Sequence, residues 1–298
     1  MVKWQDKQSY MEAECPSNYQ FDETLVFLKR SNQEMHRVEG RIVYKALKVD
    51  GSAILFSVTE ENDKLYIHVL KGKADSLTKE SITVYVTKWF DLERDVAPFY
   101  QLAQQDPYLS KLVQQYSGLR IVGIPDLFEA FVWAIAGQQI NLTFAYTLKR
   151  RFVEQFGEKL DWEGEAYWLF PEPEDLADCT IEMLRVLQFS SRKAEYILGI
   201  AEKMRDGSLQ QALRENSYQE LKKELLSIRG IGAWTADYVL MKCFRMQNAF
   251  PIADAGIHQA LKQQLGRKPT LEEIAKLARN WAGWEAYATI YLWRSLNE

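Results

Sequence analysis

The 298-residue chain is 47% hydrophobic and 26% charged with a formal net charge of −4, which suits two or three folded domains and excludes disordered or fibrous classes. No apolar run approaches the ~20 residues of a bilayer span, and the opening MVKWQDKQSY has no signal-peptide core. The acidic balance argues against coating nucleic acid by bulk charge, so any such binding has to be local.

The first ~90 residues read as β-rich. Alternation marks Arg41 to Leu47, Lys64 to Leu70 and Ser81 to Val86 as strands, separated by the turn signals Asp50-Gly51-Ser52, Glu61-Asn62-Asp63 and Lys71-Gly72-Lys73. Loops this short suit antiparallel pairing. From Asp95 onward the spacing becomes helical. Leu127, Phe131 and Ile135 share one stripe, as do Leu221, Leu225 and Ile228, and later Trp284, Tyr287 and Tyr291. Punctuation at Pro125, Gly157, Pro171, Pro173, Gly207, Gly230 and Pro251 divides this part into eight or more helices. The expected class is α+β: an antiparallel sheet domain over residues 1–92, then an all-helical body over 93–298. That body is expected to form two lobes, one over about 120–245 and the other from 93–119 plus 246–298.

The most specific segment is Leu225 to Tyr238, in which an apolar helix meets Gly230-Ile231-Gly232 and a second helix follows at once. Two glycines one residue apart permit a tight turn and close approach of another chain. The second helix then starts with unpaired N–H groups, a ready-made phosphate site that needs no lysine cluster. A helix C-cap glycine followed by an unrelated helix is the ordinary alternative. Further on, Pro251-Ile252-Ala253-Asp254 precedes a helix expected from Gly256 to Leu265. By position Asp254 is an N-cap, and a carboxylate there can also serve chemistry that builds positive charge. Trp234, Tyr238, Trp281, Trp284, Tyr287, Tyr291 and Trp293 crowd the helices near the hairpin, most of them as plain core. Trp293 lies about half a turn from Trp284, at ~100° per residue, and so faces either a second packing surface or a cleft.

Cys15, Cys179 and Cys243 are far apart without a C-x-x-C pair, and His36, His68 and His258 are isolated. No metal site built of side chains and no iron–sulfur cluster is expected.

The stretch Leu-x-x-Ile-x-Gly-Ile-Gly-x-x-Thr-Ala resembles the helix-hairpin-helix of the base-excision DNA glycosylases, the HhH-GPD superfamily. That family carries its essential aspartate at a similar distance after the hairpin in a Pro-x-x-Asp context, which falls on Asp254. Bifunctional members, which also nick the strand, carry a lysine within Gly-x-Gly-x-Lys-Thr-Ala. Here that position is Trp234, so the resemblance implies hydrolysis without a Schiff base or lyase step. Further similarity at Phe90 to Asp95, at Phe131 to Asn141 and at Trp284 to Ala288 narrows it to the AlkA type of 3-methyladenine DNA glycosylase II. About two-thirds of the chain is covered.

The resemblance implies a base pocket at Trp234, Tyr238 and Trp293 and phosphate contacts at Gly230, Gly232 and Thr235. Gln138, Gln139 and Ile140 fall in the DNA-contacting stretch. The residue that plugs the gap left by a flipped base falls on Gln139 or Ile140, where the family commonly has an apolar wedge. Aromatic walls suit cationic alkylated purines. The expected partner is double-stranded DNA with a damaged base, bound by a monomer in a bacterial, nucleoid-associated cytoplasmic setting. No cofactor is expected beyond a monovalent cation on hairpin carbonyls. The alternatives are a same-fold glycosylase for deaminated or oxidised bases, and a DNA-binding module without chemistry.

Overall fold

The computed structural model describes residues 2–214 and 217–296. The chain opens with a six-stranded sheet in the order β1-β2-β6-β5-β4-β3, antiparallel throughout. The strands are β1 Gln5–Asp6, β2 Met11–Glu14, β3 His36–Glu39, β4 Ile42–Val49, β5 Ser52–Glu61 and β6 Lys64–Lys71. Two-residue turns join β4 to β5 and β5 to β6, each with positive φ at both central positions: Asp50 and Gly51, then Asn62 and Asp63. That backbone matches the twist of the paired strands and fixes their register.

One face of the sheet buries Ile54, Phe56, Val58 and Ile67 beneath the helices Phe21–Leu28 and Ser76–Trp89. On the other face Ala46 and Leu55 pack against Leu160, Tyr167 and Leu169. Those last three residues come from a small hairpin, β7 Glu158–Trp162 and β8 Glu165–Leu169, set within the helical body. It is the one departure from helical structure beyond residue 93 among the described residues.

The structure corrects the sequence reading at one strand and adds six, among them the hairpin β7-β8 in a body expected to be all-helical. Ser81 to Val86 is helix, not strand: it lies within Ser76–Trp89, whose first turn is capped by Asp75 accepting from Thr78 N at 2.9 Å. Thr78, Ile82, Val86 and Trp89 are buried at helical spacing while Val84 is exposed, so packing overrides the β-branched composition. Ser52–Glu61 is a full strand that alternation could not single out. Ile54, Leu55, Phe56 and Val58 are all buried, because both faces of the sheet are covered there.

The helical body surrounds Leu127–Ala136, which is buried on every side from Phe128 to Ala136, as a helix apolar all round must be. It packs on the helices Ser191–Arg205 and Ala233–Lys242. The C-terminal helix Glu285–Arg294 is tied to the segment after the sheet by polar contacts. Tyr287 donates to Asp91 Oδ2 at 2.8 Å, and the Tyr291 and Tyr100 hydroxyls pair at 2.9 Å. No described helix is long and apolar enough to cross a membrane.

A buried ion cluster joins the sheet domain to the helices. Lys149, 2% exposed, sits 2.6 Å from Glu34 and 2.8 Å from Glu129. Burial works against the Glu34 charge, but the Lys149 ammonium outweighs it and brings that carboxyl down to about 2. The stabilisation is complete above the ordinary glutamate value of 4.5 and is lost as pH falls toward 2. Lys149→Met leaves two buried carboxylates unpaired and is expected to cost about 3–5 kcal/mol in urea unfolding. The acid dependence attributable to Glu34 is expected to shrink with it, and an unchanged urea midpoint would contradict this role.

Candidate active site and nucleic-acid interface

The hairpin joins the helix Tyr218–Ser227 to Ala233–Lys242. Its two glycines answer to different constraints. Gly230 has φ +91°, and a Cβ there would overlap the Tyr196 ring, so the fold itself demands glycine. Gly232 has φ −90°, is exposed, and would meet nothing within 4 Å if it carried a Cβ. Nothing within the chain requires glycine at 232. It also starts its helix without a side-chain cap, whereas Asp126, Asn141 and Ser190 cap theirs. The first-turn amides at Ala233, Trp234 and Thr235 thus have no intrahelical acceptor and stand behind an open surface.

Gln138 braces this turn, donating to Gly230 O at 3.1 Å and to Thr235 Oγ1 at 3.0 Å. The Thr235 side chain is accordingly buried. Beyond Gln138 the chain bends at Gln139, which has φ +57° and is exposed. Ile140 is half-buried and packs against the core. Of the two candidate wedge positions, Gln139 is the one that projects.

Asp254 caps the helix Ala255–Leu265 and gathers four donors. Its Oδ1 accepts from Gly256 N at 2.8 Å, Ile257 N at 3.1 Å and Trp293 Nε1 at 2.7 Å, and its Oδ2 accepts from Trp234 Nε1 at 2.8 Å. Capping and the indole contacts therefore coexist on one carboxylate. The Trp234 ring stacks on Tyr238, with centroids 5.1 Å apart at 24°, and Tyr238 lies 6.3 Å from Trp293. These residues line a cavity of about 760 Å³. Trp234, Tyr238, Trp293 and Asp254 come together at one cavity, and Gln138, Gln139 and Ile140 also line it. Gly230 and Gly232 belong to the hairpin surface, whereas Thr235 is buried and held by Gln138.

Several lining residues carried no sequence signal. Trp133 donates to the Tyr238 hydroxyl at 2.7 Å and packs on Tyr146 at 4.7 Å. It was hidden in a helix apolar on all sides. Phe27, Arg30 and Glu34 reach the cavity from the sheet domain, with Lys45 and Lys149 beyond them. Among the described residues no group of three or more His, Cys, Asp or Glu side chains could hold a metal ion.

The structure thus sets an uncapped helix-hairpin-helix beside a carboxylate-bearing aromatic cavity. The chain belongs to the HhH-GPD superfamily of base excision DNA repair proteins, as a DNA glycosylase: that family's model matches residues 132–283. Residues 15–131 match the 8-oxoguanine DNA glycosylase N-terminal domain. The chain is 39% identical to a DNA-3-methyladenine glycosylase of Bacillus subtilis, over 99% of this chain and the whole of that one. The solved 3-methyladenine DNA-glycosylase from Archaeoglobus fulgidus superposes with a TM-score of 0.82 at 25% identity, covering 95% of this chain and 97% of that one. A Clostridium acetobutylicum 8-oxoguanine glycosylase/lyase bound to double-stranded DNA shares the fold, with a TM-score of 0.77 at 19% identity over 100% and 99% of the two chains.

The approach of Trp293 to Asp254 depends on Gly256. A Cβ there would lie 2.7 Å from Trp293 Cδ1 and 2.9 Å from Asp254 Oδ1. Gly256→Ala is expected to displace the indole and to cost about 1–3 kcal/mol in chemical unfolding through overpacking. Wild-type stability in that variant would show that Trp293 yields freely and that the close packing does not matter.

Proposed function

We infer that the chain is a monofunctional glycosylase that flips alkylated purines, of the 3-methyladenine and 7-methylguanine type, out of double-stranded DNA and releases them by hydrolysis. The observation that carries this reading is the Asp254 carboxylate, held by two amides and two indoles at an aromatic cavity that lacks a hairpin lysine. As the bond from C1′ to the base nitrogen breaks, its electron pair leaves with the base and positive charge grows on the sugar. The fixed carboxylate stabilises that charge, water adds at C1′, and the water proton is released. A cationic alkylated base is already a good leaving group, and it gains ~0.5–2 kcal/mol per ring from aromatic walls such as Trp234 and Tyr238.

The names of the Bacillus subtilis and Archaeoglobus fulgidus relatives support the alkylpurine class. The N-terminal family match favours an oxidised-base reading. Against its lyase form stands Trp234 at the nucleophile position. Of the two lysines that line the cavity, Lys149 is held by Glu34 and Glu129, and Lys45 stands in the field of the same two carboxylates. On the DNA side the amides beyond Gly232 grip a phosphate, Gln139 fills the vacated stack, and the enzyme works as a monomer on the bacterial chromosome. Hairpin carbonyls are the donors open to a monovalent cation, which would add positive charge beside that phosphate. Those of Ile228 and Gly230 each accept one hydrogen bond, from Ile231 N and Gln138 Nε2, and keep a second lone pair.

Asp254→Asn removes the charge and keeps the cap, since asparagine caps a helix about as well as aspartate, although its amide meets the Trp234 indole donor to donor. It is expected to keep the fold with some loss of stability and to lower base release from methylated duplex by roughly 100-fold or more while retaining affinity for abasic DNA. Undiminished release would end the mechanism, and strand nicking by the purified wild-type enzyme would end its monofunctional part. Gly232→Ala is expected to cost under about 1 kcal/mol of stability yet to weaken duplex binding roughly tenfold by obstructing the phosphate. If binding is unchanged, the amides beyond residue 232 do not make the contact.

A further inference from the structure

The wall of the cavity opposite Asp254 has its carboxylates committed and one donor left over. Glu34 and Glu129 are both bound to Lys149. Lys45, buried in the same wall, stands in the field of Glu34, Glu129 and Asp126. Arg30 differs. It follows the helix Phe21–Leu28, lines the cavity, and rests its guanidinium 4.4 Å above the Phe27 ring. Its Nε is buried without a hydrogen-bond partner, and no described residue forms an ion pair with it.

The charged and titratable groups that act on Arg30 are the Tyr146 and Tyr238 hydroxyls and the like-charged Arg294. Lys242 also lies within its field. Glu23, the carboxylate nearest in the chain, is paired with Arg294 at 2.7 Å. Arg30 is half-buried, and an unmet donor in a part-buried guanidinium is costly, so a ligand acceptor placed against the group recovers that cost.

We propose that Arg30 reads the flipped base by donating to a carbonyl oxygen on its edge, which makes the enzyme discriminate between guanine-type and adenine-type lesions. The proposal rests on the reading of the cavity as a base pocket. A purine with an exocyclic oxygen satisfies Arg30, whereas one with an amino group at that place presents a donor to a donor. A backbone phosphate is the other acceptor a flipped nucleotide carries. Arg30 shares the cavity wall with the Tyr146 and Tyr238 rings, whose hydroxyls act on it, which favours the base.

Dimethyl-sulfate-treated duplex DNA provides a matched test, because it contains 7-methylguanine and 3-methyladenine together. Both are cationic, and only the first has the carbonyl. Arg30→Met is expected to lower kcat/KM for 7-methylguanine about 10- to 100-fold more than for 3-methyladenine. Arg30→Lys keeps the charge and one donor and is expected to restore part of the difference; it carries the same ratio test if the methionine variant folds poorly. An equal loss for both bases in both variants would reduce Arg30 to a structural role and overturn the proposal. So would an equal loss of affinity for abasic duplex, which has the phosphate but no base. If the wild-type enzyme releases neither base, the alkylpurine reading fails first, and that outcome is visible before any variant is made.

Discussion

The Asp254 carboxylate is held by four N–H groups from three stretches of chain remote in sequence, and the cavity takes its shape from that convergence. As a cap it satisfies the first turn of Ala255–Leu265, and under the proposed mechanism it must still offer charge to a reacting sugar. The two oxygens divide the work. Oδ1 takes both amides and the Trp293 indole, while Oδ2 takes only Trp234 and keeps acceptor capacity on the cavity side. Trp234 and Trp293 therefore do more than furnish flat walls. Their N–H groups fix the carboxylate, and Gly256 leaves room for the second indole to reach it.

The hairpin shows how a fold constraint and a partner constraint can sit two residues apart. Gly230 is explained by positive φ and by Tyr196, so it would be glycine in a protein that bound nothing. Gly232 has neither reason, and an open surface with uncapped amides behind it is what remains. A chain of net charge −4 that handles DNA has to concentrate its grip in such places, because long-range attraction is not available to it. Gln138 links the two functions, bracing the hairpin through Gly230 O and Thr235 while its neighbour Gln139 projects.

Much of this was legible where the determinants are local. Turn dipeptides, the Gly-x-Gly step, the cap position of Asp254 and the half-turn offset of Trp293 each depend on a few adjacent residues. The failures have physical causes as well. Ser81 to Val86 alternates like a strand, yet its burial follows helical spacing once Asp75 caps the turn before it. Ser52–Glu61 lost its alternation because a hairpin from the helical body covers the sheet's second face. The far wall of the cavity was invisible for a different reason. Glu34 and Lys149 meet across 115 residues, and neither segment carries a local pattern that announces the other.

That far wall also says what the sheet domain contributes. The carboxylate, the hairpin and the stacked rings all lie within the segment shared with the HhH-GPD family, residues 132–283, except Trp293 just beyond it. Phe27, Arg30, Glu34 and Lys45 come from the other segment, residues 15–131. Bond cleavage requires the same charge on any N-glycoside, so its residues are constrained by the reaction. The edge of the base differs from lesion to lesion, and the residues facing it are free to differ. A division in which one domain holds the chemistry and the other the recognition works only if the two cannot shift relative to each other. The Lys149 cluster ties the two together: one buried ammonium from the 132–283 segment binds Glu34 and Glu129 from the 15–131 segment.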